Sequence, residues 1–343
     1  MGEPSLKSRA WTLFDRIVRD AEGEGLRNPW TRGDDGNVTF QPDFATLERL
    51  LGAPLHLAAG SQTGVPALAL DVWLAYELRR AGFDADAVWP RASAPRVIPQ
   101  SVTRLLAALP SKERGMLLGR MASGFSGVTA DSASVLGKNY FKQVDVLMSE
   151  WDTGPEILIS TKRMDSSFGK NAANRVEESY GDAKNLRLRH PLAALGFVYG
   201  LRSTILRSEP AKAEWLIDLL AKLGREDDAY HAVALVMIEY DDAVAPPLLG
   251  DDSGPEDDAI AAAGLVETSG SAQPEDLADE ETHEAIAALP PVSLRHDAVP
   301  PELQPARFLA VVVNRVLDAT PVNRHAAVRR LRADPRREAQ RPA

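Results

Sequence analysis

Apolar residues in the first third of the chain recur every three or four positions, which predicts amphipathic helices. Gly82 is a natural stop for the most apolar of these helices. Pro110 is expected to divide the last of them in two. The predicted helices cover Leu6–Val18, Phe44–Leu51, Ala67–Arg80 and Ser101–Met121.

The middle of the chain changes to the short apolar runs and two-residue alternation of β-strands. A strand is predicted over Phe141–Trp151 and another over Glu156–Lys162. The turn residues between them, 152–155, predict that the two strands form a hairpin. Beyond the hairpin, helices are predicted over Asn171–Asn185 and Lys212–Leu223, and strands within 192–206 and over Ala232–Tyr240. This order of elements predicts an α/β fold with a central sheet flanked by helices.

The composition changes sharply after residue 240. Pro, Gly, Ser, Ala and acidic residues dominate to about residue 290, which predicts a flexible acidic linker. A helix is predicted over Arg307–Leu317, and the arginine-rich tail 324–341 is expected to fray. The predicted regions are a helical segment, an α/β core, the acidic linker and a C-terminal helix with a basic tail, over 1–65, 66–240, 241–290 and 291–343.

Charge is distributed very unevenly along the chain. The formal net charge is −10, but Asp241–Ala285 alone carries −14, which leaves +4 for the remainder. Residues 160–207 contain nine Lys or Arg and four Asp or Glu, so this segment carries +5. A basic central segment predicts an anionic partner such as nucleic acid.

The chain contains no cysteine, no long apolar run and no N-terminal signal peptide pattern. Disulfides, thiolate metal sites and cysteine nucleophiles are therefore excluded, and no membrane span is expected. These features favour a cytoplasmic protein. The six histidines show no paired metal-binding spacing, which argues against a zinc hydrolase.

The predicted hairpin carries the candidate chemistry. Ser160 and Lys162 are two residues apart and therefore share one face of their strand. Asp145 is the one charged residue in the apolar middle of the partner strand, where a lone carboxylate is costly without a compensating group. An ordinary salt bridge between Asp145 and Lys162 is the simpler alternative.

An acid on one strand, a turn and then acid-x-Lys on the next strand resembles the PD-(D/E)xK, or restriction-endonuclease-like, nucleases. Val144 stands where that family has proline, and Ser160 stands where it has the second acid. A subgroup of type II restriction enzymes is similar in having Ser-x-Lys here and recruiting a glutamate from the following helix. Glu177 and Glu178 lie in that helix, and the sequence leaves open which of them is used.

The resemblance implies a restriction-endonuclease-like core with a mixed sheet and a Mg²⁺-dependent DNA endonuclease, in which Mn²⁺ can substitute for Mg²⁺. Asp145 and Glu177 or Glu178 would hold the ion, Lys162 would assist the attacking water, and Ser160 would orient a water. Glu77 resembles the acid that the family often places on its first helix, although an ion pair with the neighbouring arginines is the plainer alternative.

The implied biological role is restriction or anti-phage defence, in a homodimer or with partner proteins of a defence system. A catalytically inactive DNA-binding or assembly subunit with the same fold is the alternative, because Ser160 replaces an acid. The residues predicted to contact nucleic acid are Lys138, Lys170, Asn171, Arg175, Lys184, Arg187 and Arg189.

Overall fold

The computed structural model describes residues 5–25, 27–122, 132–166, 168, 172–246 and 279–335. Its helices are α1 (Leu6–Gly23), α2 (Phe44–His56), α3 (Val65–Arg80), α4 (Gln100–Ala108), α5 (Ser111–Ala122), α6 (Ala172–Arg189), α7 (Ile205–Ser208), α8 (Pro210–Leu223), α9 (Asp279–Ala287), α10 (Pro305–Ala319) and α11 (Ala326–Ala333). Its strands are β1 (Trp30–Arg32), β2 (Val38–Phe40), β3 (Val88–Trp89), β4 (Ala133–Leu136), β5 (Phe141–Val144), β6 (Val146–Glu150), β7 (Gly154–Met164), β8 (Ala194–Arg202), β9 (Ala232–Glu239) and β10 (Ser293–Leu294). The predicted α/β class is confirmed.

The centre of the fold is a mixed six-stranded sheet with the strand order β10-β9-β8-β7-β6-β3. β6 and β7 are antiparallel, whereas β7, β8 and β9 run parallel to one another. Parallel neighbours require crossover connections, and α6 and α8 supply them. The carboxyl ends of β7, β8 and β9 therefore meet at one edge of the sheet.

The predicted hairpin is present, with Val146 opposite Ile159. Its first strand is shorter than predicted, because the chain breaks at Asp145 into β5 and β6. β5 leaves the main sheet and pairs with β4 in a separate two-stranded sheet. Asp145 is thus placed at a break between strands, where its side chain is not confined to one face of a regular ladder.

The sheet is covered on both faces, and its strands β8 and β9 are almost entirely apolar. All nine residues of β8 are buried. On one face, α3 and α10 pack with α1 and α2 into one hydrophobic cluster. On the other face, α6 and α8 contribute to a second cluster. A strand that is buried on both faces is expected to be a continuous apolar run, as the sequence of β8 is.

Two predictions for the C-terminal region are corrected. Part of the predicted acidic linker is structured, since α9 lies within it and the following strand β10 pairs with β9. Residues 247–278 of that stretch lie outside the described part. The tail is not frayed from residue 324 to 335, because Arg324 pairs with Glu150 and Asp152 and α11 packs its apolar side on the core. In the part of the chain that the structure describes, no helix has the length and apolar character to cross a bilayer.

Candidate functional site

Thr161 links two carboxylates at the carboxyl end of β7. Its main-chain N–H donates to Asp145 Oδ2 at 2.7 Å. Its hydroxyl donates to Asp71 Oδ1 at 2.5 Å. Asp71 comes from α3, so the two acids approach the same residue from the helix layer and from the break between β5 and β6. The middle residue of the Ser-x-Lys motif therefore holds a pair of acids.

The electrostatics of this pair are unfavourable for two negative charges. Burial, and next the charge of Asp145, raise the pKa of Asp71 well above its usual 3.8. The hydrogen bond from Thr161 and the charge of Lys162 act in the opposite direction. Two neighbouring carboxylates in a buried position favour either a shared proton or a bound cation.

Lys162 and Ser160 flank Thr161 and point to the opposite face of the sheet by strand alternation. Ser160 is buried beside Tyr230, which precedes β9 and donates its hydroxyl to the Ser179 carbonyl of α6 at 2.9 Å. Lys162 is half-buried beside Tyr199 of β8 and lies close enough for its charge to act on Asp71. The charges of Asp145 and Lys162 therefore both act on Asp71, whereas Ser160 lies beside a tyrosine on the α6 side.

The two glutamates of α6 have different surroundings. Glu177 is exposed. Val176 and Ser179, which come directly before and after the two glutamates, form the buried side of the helix. Glu178 lies 3.6 Å from the ammonium of Lys142. Of the two predicted ligands, Glu178 is thus the one beside β5; it is 42% exposed and already has a cationic partner.

Glu77 is not brought to Asp145, which corrects its predicted place in the site. Its carboxylate is fully buried, accepts from Arg80 Nη1 at 2.8 and 3.0 Å, and accepts from the Asp43 main-chain N–H at 2.6 Å. Asp43 caps α2 and also receives a bond from Tyr76. Glu77 therefore fastens α2 to α3, and Asp71 is the acid that α3 contributes to the candidate site.

Most of the predicted phosphate-contacting residues lie away from the Thr161 end of the sheet. A crossover between parallel strands returns the chain to the opposite edge, so the last turns of α6 lie near the start of β8. Arg187 donates to the Ala229 carbonyl at 3.0 Å, and Lys184 pairs with Asp228 at 2.9 Å. Arg189 is exposed at this far edge, and Lys138 is exposed next to the same half of α6. Lys170, Asn171 and the side chain of Arg175 lie outside the described residues.

The acid pair fits a hard divalent cation. Within the described ranges, no group of three or more acidic or histidine side chains forms a ready-made metal site. Mg²⁺ does not need one, because it retains several waters and is commonly held by one or two carboxylates. Asp71 and Asp145 supply two such groups beside main-chain oxygens of β7, and neutralising their repulsion would favour binding.

Asp71→Asn is expected to stabilise the metal-free protein by about 1–2 kcal/mol at pH 8. A carboxyl whose pKa is raised on folding stabilises the fold below its unfolded pKa, near 3.8, and this contribution is lost as the pH rises through the folded value. The asparagine removes that loss, so its advantage should grow between pH 5 and pH 8. Urea unfolding in EDTA at the two pH values measures the effect, and an advantage that shrinks with pH would contradict it.

The role of Asp71 had a signal in the sequence. Glu77 has Arg80 three residues later on the same helix, so it has a local partner. Asp71 has only apolar residues three and four positions away on either side. An acid in an apolar helix without a local cation requires a partner from another element, and here that partner is Thr161.

The chain was compared with models of protein families, with curated proteins and with solved structures, and no match was found in any of the three.

Proposed function

We propose that this protein is a Mg²⁺-dependent endonuclease that hydrolyses phosphodiester bonds in DNA. The observation that carries the proposal is the arrangement around Thr161, which binds Asp145 through its amide and Asp71 through its hydroxyl, next to Lys162. This arrangement lies at the end of an antiparallel hairpin that continues into parallel strands.

The chemistry of phosphodiester hydrolysis matches these groups. Bound Mg²⁺ supplies a Lewis acid that lowers the pKa of water and neutralises charge on the phosphate. Asp71 and Asp145 would hold the ion, and Thr161 fixes the orientation of both carboxylates. Lys162 would place an ammonium where negative charge develops on the phosphate during attack.

DNA is the proposed substrate because the hairpin motif resembles that of the PD-(D/E)xK nucleases, and the basic segment supports affinity for an anionic polymer away from the site itself. Residues 160–207 carry +5, whereas the whole chain carries −10. Nonspecific affinity for nucleic acid follows from such a charge distribution, and it should fall steeply with salt. A role in restriction or anti-phage defence, in a homodimer or with partner proteins in the cytoplasm, is part of the proposal.

The decisive experiment incubates purified protein with supercoiled plasmid, methylated plasmid, single-stranded DNA and RNA of the same sequence. Each substrate is tested in Mg²⁺, Mn²⁺, Ca²⁺ and EDTA. Cleavage of DNA in Mg²⁺ and Mn²⁺, and its absence in EDTA, is the expected result.

Binding of DNA that is unaffected by metal, with no cleavage of any substrate, would reject the enzyme and support an inactive DNA-binding or assembly subunit. One observation favours that second function: Ser160, in the place of the second acid, is buried against Tyr230. Thermal unfolding with and without Mg²⁺ adds a readout independent of cleavage. The wild-type melting temperature should rise with Mg²⁺, and that of Asp71→Asn should not.

A further inference from the structure

A buried lysine lies between two acids on the α6 face of the sheet. Lys142, on β5, places its ammonium 2.8 Å from Asp182 Oδ2 and 3.6 Å from Glu178 Oε1. Its side chain is 7% exposed, and that of Asp182 is 10% exposed. Tyr140 donates to the other oxygen of Asp182 at 3.0 Å. We call these four residues the Lys142 cluster.

The two acids of the cluster need a cation. Glu178 and Asp182 are four residues apart on α6, so their carboxylates lie on the same side of the helix and repel each other. Asp182 is largely buried, which strengthens this repulsion, whereas Glu178 is 42% exposed and is partly screened by water. The Lys142 ammonium is a compact positive charge that offsets the repulsion between the two carboxylates. A small metal ion has the same role in a carboxylate site.

Acids of the Lys142 cluster and an acid of the candidate site act on the pKa of the same tyrosine. Burial raises the pKa of Tyr230, and the charges of Asp182, Asp145 and Glu178 raise it further. The charges of the two α6 acids and of the acid at the break between β5 and β6 therefore all reach one phenol. Ser160 of the Ser-x-Lys motif lies beside the same tyrosine, whose hydroxyl donates to the Ser179 carbonyl of α6 at 2.9 Å.

We infer that the Lys142 ammonium takes the place of a second divalent cation beside the Asp71–Asp145 pair. The first ion rests on the proposed function, but the cation in the Lys142 cluster is supplied by the chain itself. The protein thus takes one exchangeable Mg²⁺, at Asp71 and Asp145. Glu178 is a partner of Lys142 and not a ligand of that ion.

Removing the ammonium should create a second metal site. Lys142→Ser removes the ammonium but leaves the carboxylate oxygens of Glu178 and Asp182. Hard oxygen donors of this kind suit Mg²⁺ and Mn²⁺. Titration with Mn²⁺, followed by the electron paramagnetic resonance signal of the free ion, should give one bound ion for wild type and two for Lys142→Ser. Adding Glu178→Gln to the variant should return the number to one.

The matched control is Lys184→Ser. Lys184 lies on α6 and pairs with Asp228, but its side chain is 52% exposed, so water can replace the ammonium. This variant should bind as many ions as wild type. Wild-type stoichiometry and affinity in folded Lys142→Ser would overturn the inference.

Thermal unfolding with and without Mn²⁺ tests the inference if Lys142→Ser folds poorly in the absence of the ion. Lys142→Ser that gains a cooperative transition, or at least 5 °C in melting temperature, only when Mn²⁺ is present supports the inference. A variant that stays unfolded with and without Mn²⁺ overturns it. Wild type that binds no ion while Lys142→Ser gains one would reject the proposed nuclease site but support the cation role inferred for Lys142. If wild type cleaves DNA but Lys142→Ser gains no ion, the inference about Lys142 is rejected and the proposed nuclease function is supported.

Discussion

Replacing Asp145 with asparagine is expected to lower the rate of Mg²⁺-dependent DNA cleavage by about 1000-fold, or about 4 kcal/mol of transition-state stabilisation. Asparagine keeps the shape of the side chain and one acceptor for the Thr161 N–H, which now donates at 2.7 Å. It loses the negative charge that, with Asp71, would hold the ion. Single-turnover cleavage at saturating protein measures the chemical step without contributions from product release.

The same hairpin offers a matched control. Asp152 lies in the turn between β6 and β7, is 62% exposed and pairs with Arg324. Asp152→Asn removes the same charge far from Thr161, so its cleavage rate should stay within about twofold of wild type. DNA affinity in EDTA should not weaken in Asp145→Asn, because a removed carboxylate cannot reduce attraction for phosphates. An Asp145→Asn rate within tenfold of wild type would contradict the role given to Asp145.

The elements that form this site were largely predictable from the sequence. Apolar runs bounded by turn residues predicted β7 and β8, and a helical period predicted α3 and α6. The break at Asp145 was not predicted, because the alternation of Val144, Val146 and Met148 continues through it. Only the pairing of β5 with β4, residues 133–136, removes β5 from the main sheet.

The side chains of the site were predictable where one strand fixes their relation. Ser160, Thr161 and Lys162 are neighbours in sequence, and their faces follow from the two-residue period. The cation beside Glu178 was not predictable in this way. Lys142 lies on another element, and its contact with Asp182 spans 40 positions of the chain.

The predicted phosphate contacts at the end of α6 conflict with the direction in which that helix runs. Lys184, Arg187 and Arg189 were assigned to phosphate contacts because they follow the motif in a basic segment. A helix between two parallel strands returns the chain to the starting edge of the sheet, and 18 residues of α6 cover about 27 Å. Charge in a segment therefore does not place that charge beside the site.

Replacing Glu77 with alanine is expected to lower the free energy of unfolding by about 3–5 kcal/mol at pH 7. The variant leaves the buried guanidinium of Arg80 without its carboxylate and the Asp43 N–H without its acceptor. It also loosens the contact of α2 with α3, whose residues share one hydrophobic cluster. Urea unfolding followed by circular dichroism gives the value. Glu214→Ala, at an exposed position of α8, should change it by less than about 0.5 kcal/mol.

Glu77→Gln is expected to share the pH dependence of stability of Asp71→Asn, although only Asp71 is placed in the candidate site. Burial raises the pKa of Glu77 to about 7. The part of its contribution to stability that depends on protonation is therefore present below the usual 4.5 and is lost as the pH rises through about 7. The neutral glutamine escapes this loss, so its stability relative to wild type should increase from pH 5 to pH 8, as expected for Asp71→Asn.

The two variants should differ in every readout that involves the ion. Glu77→Gln should keep both the cleavage rate per folded molecule and the Mg²⁺-induced rise in melting temperature, because its carboxylate contacts Arg80 and Asp43. Asp71→Asn should lose both, because its carboxylate contacts Thr161 beside Asp145. Equal losses of cleavage in the two variants would mean that α3 acts through its position as a whole and not through one acid. Loss in Glu77→Gln alone would return the catalytic acid to Glu77.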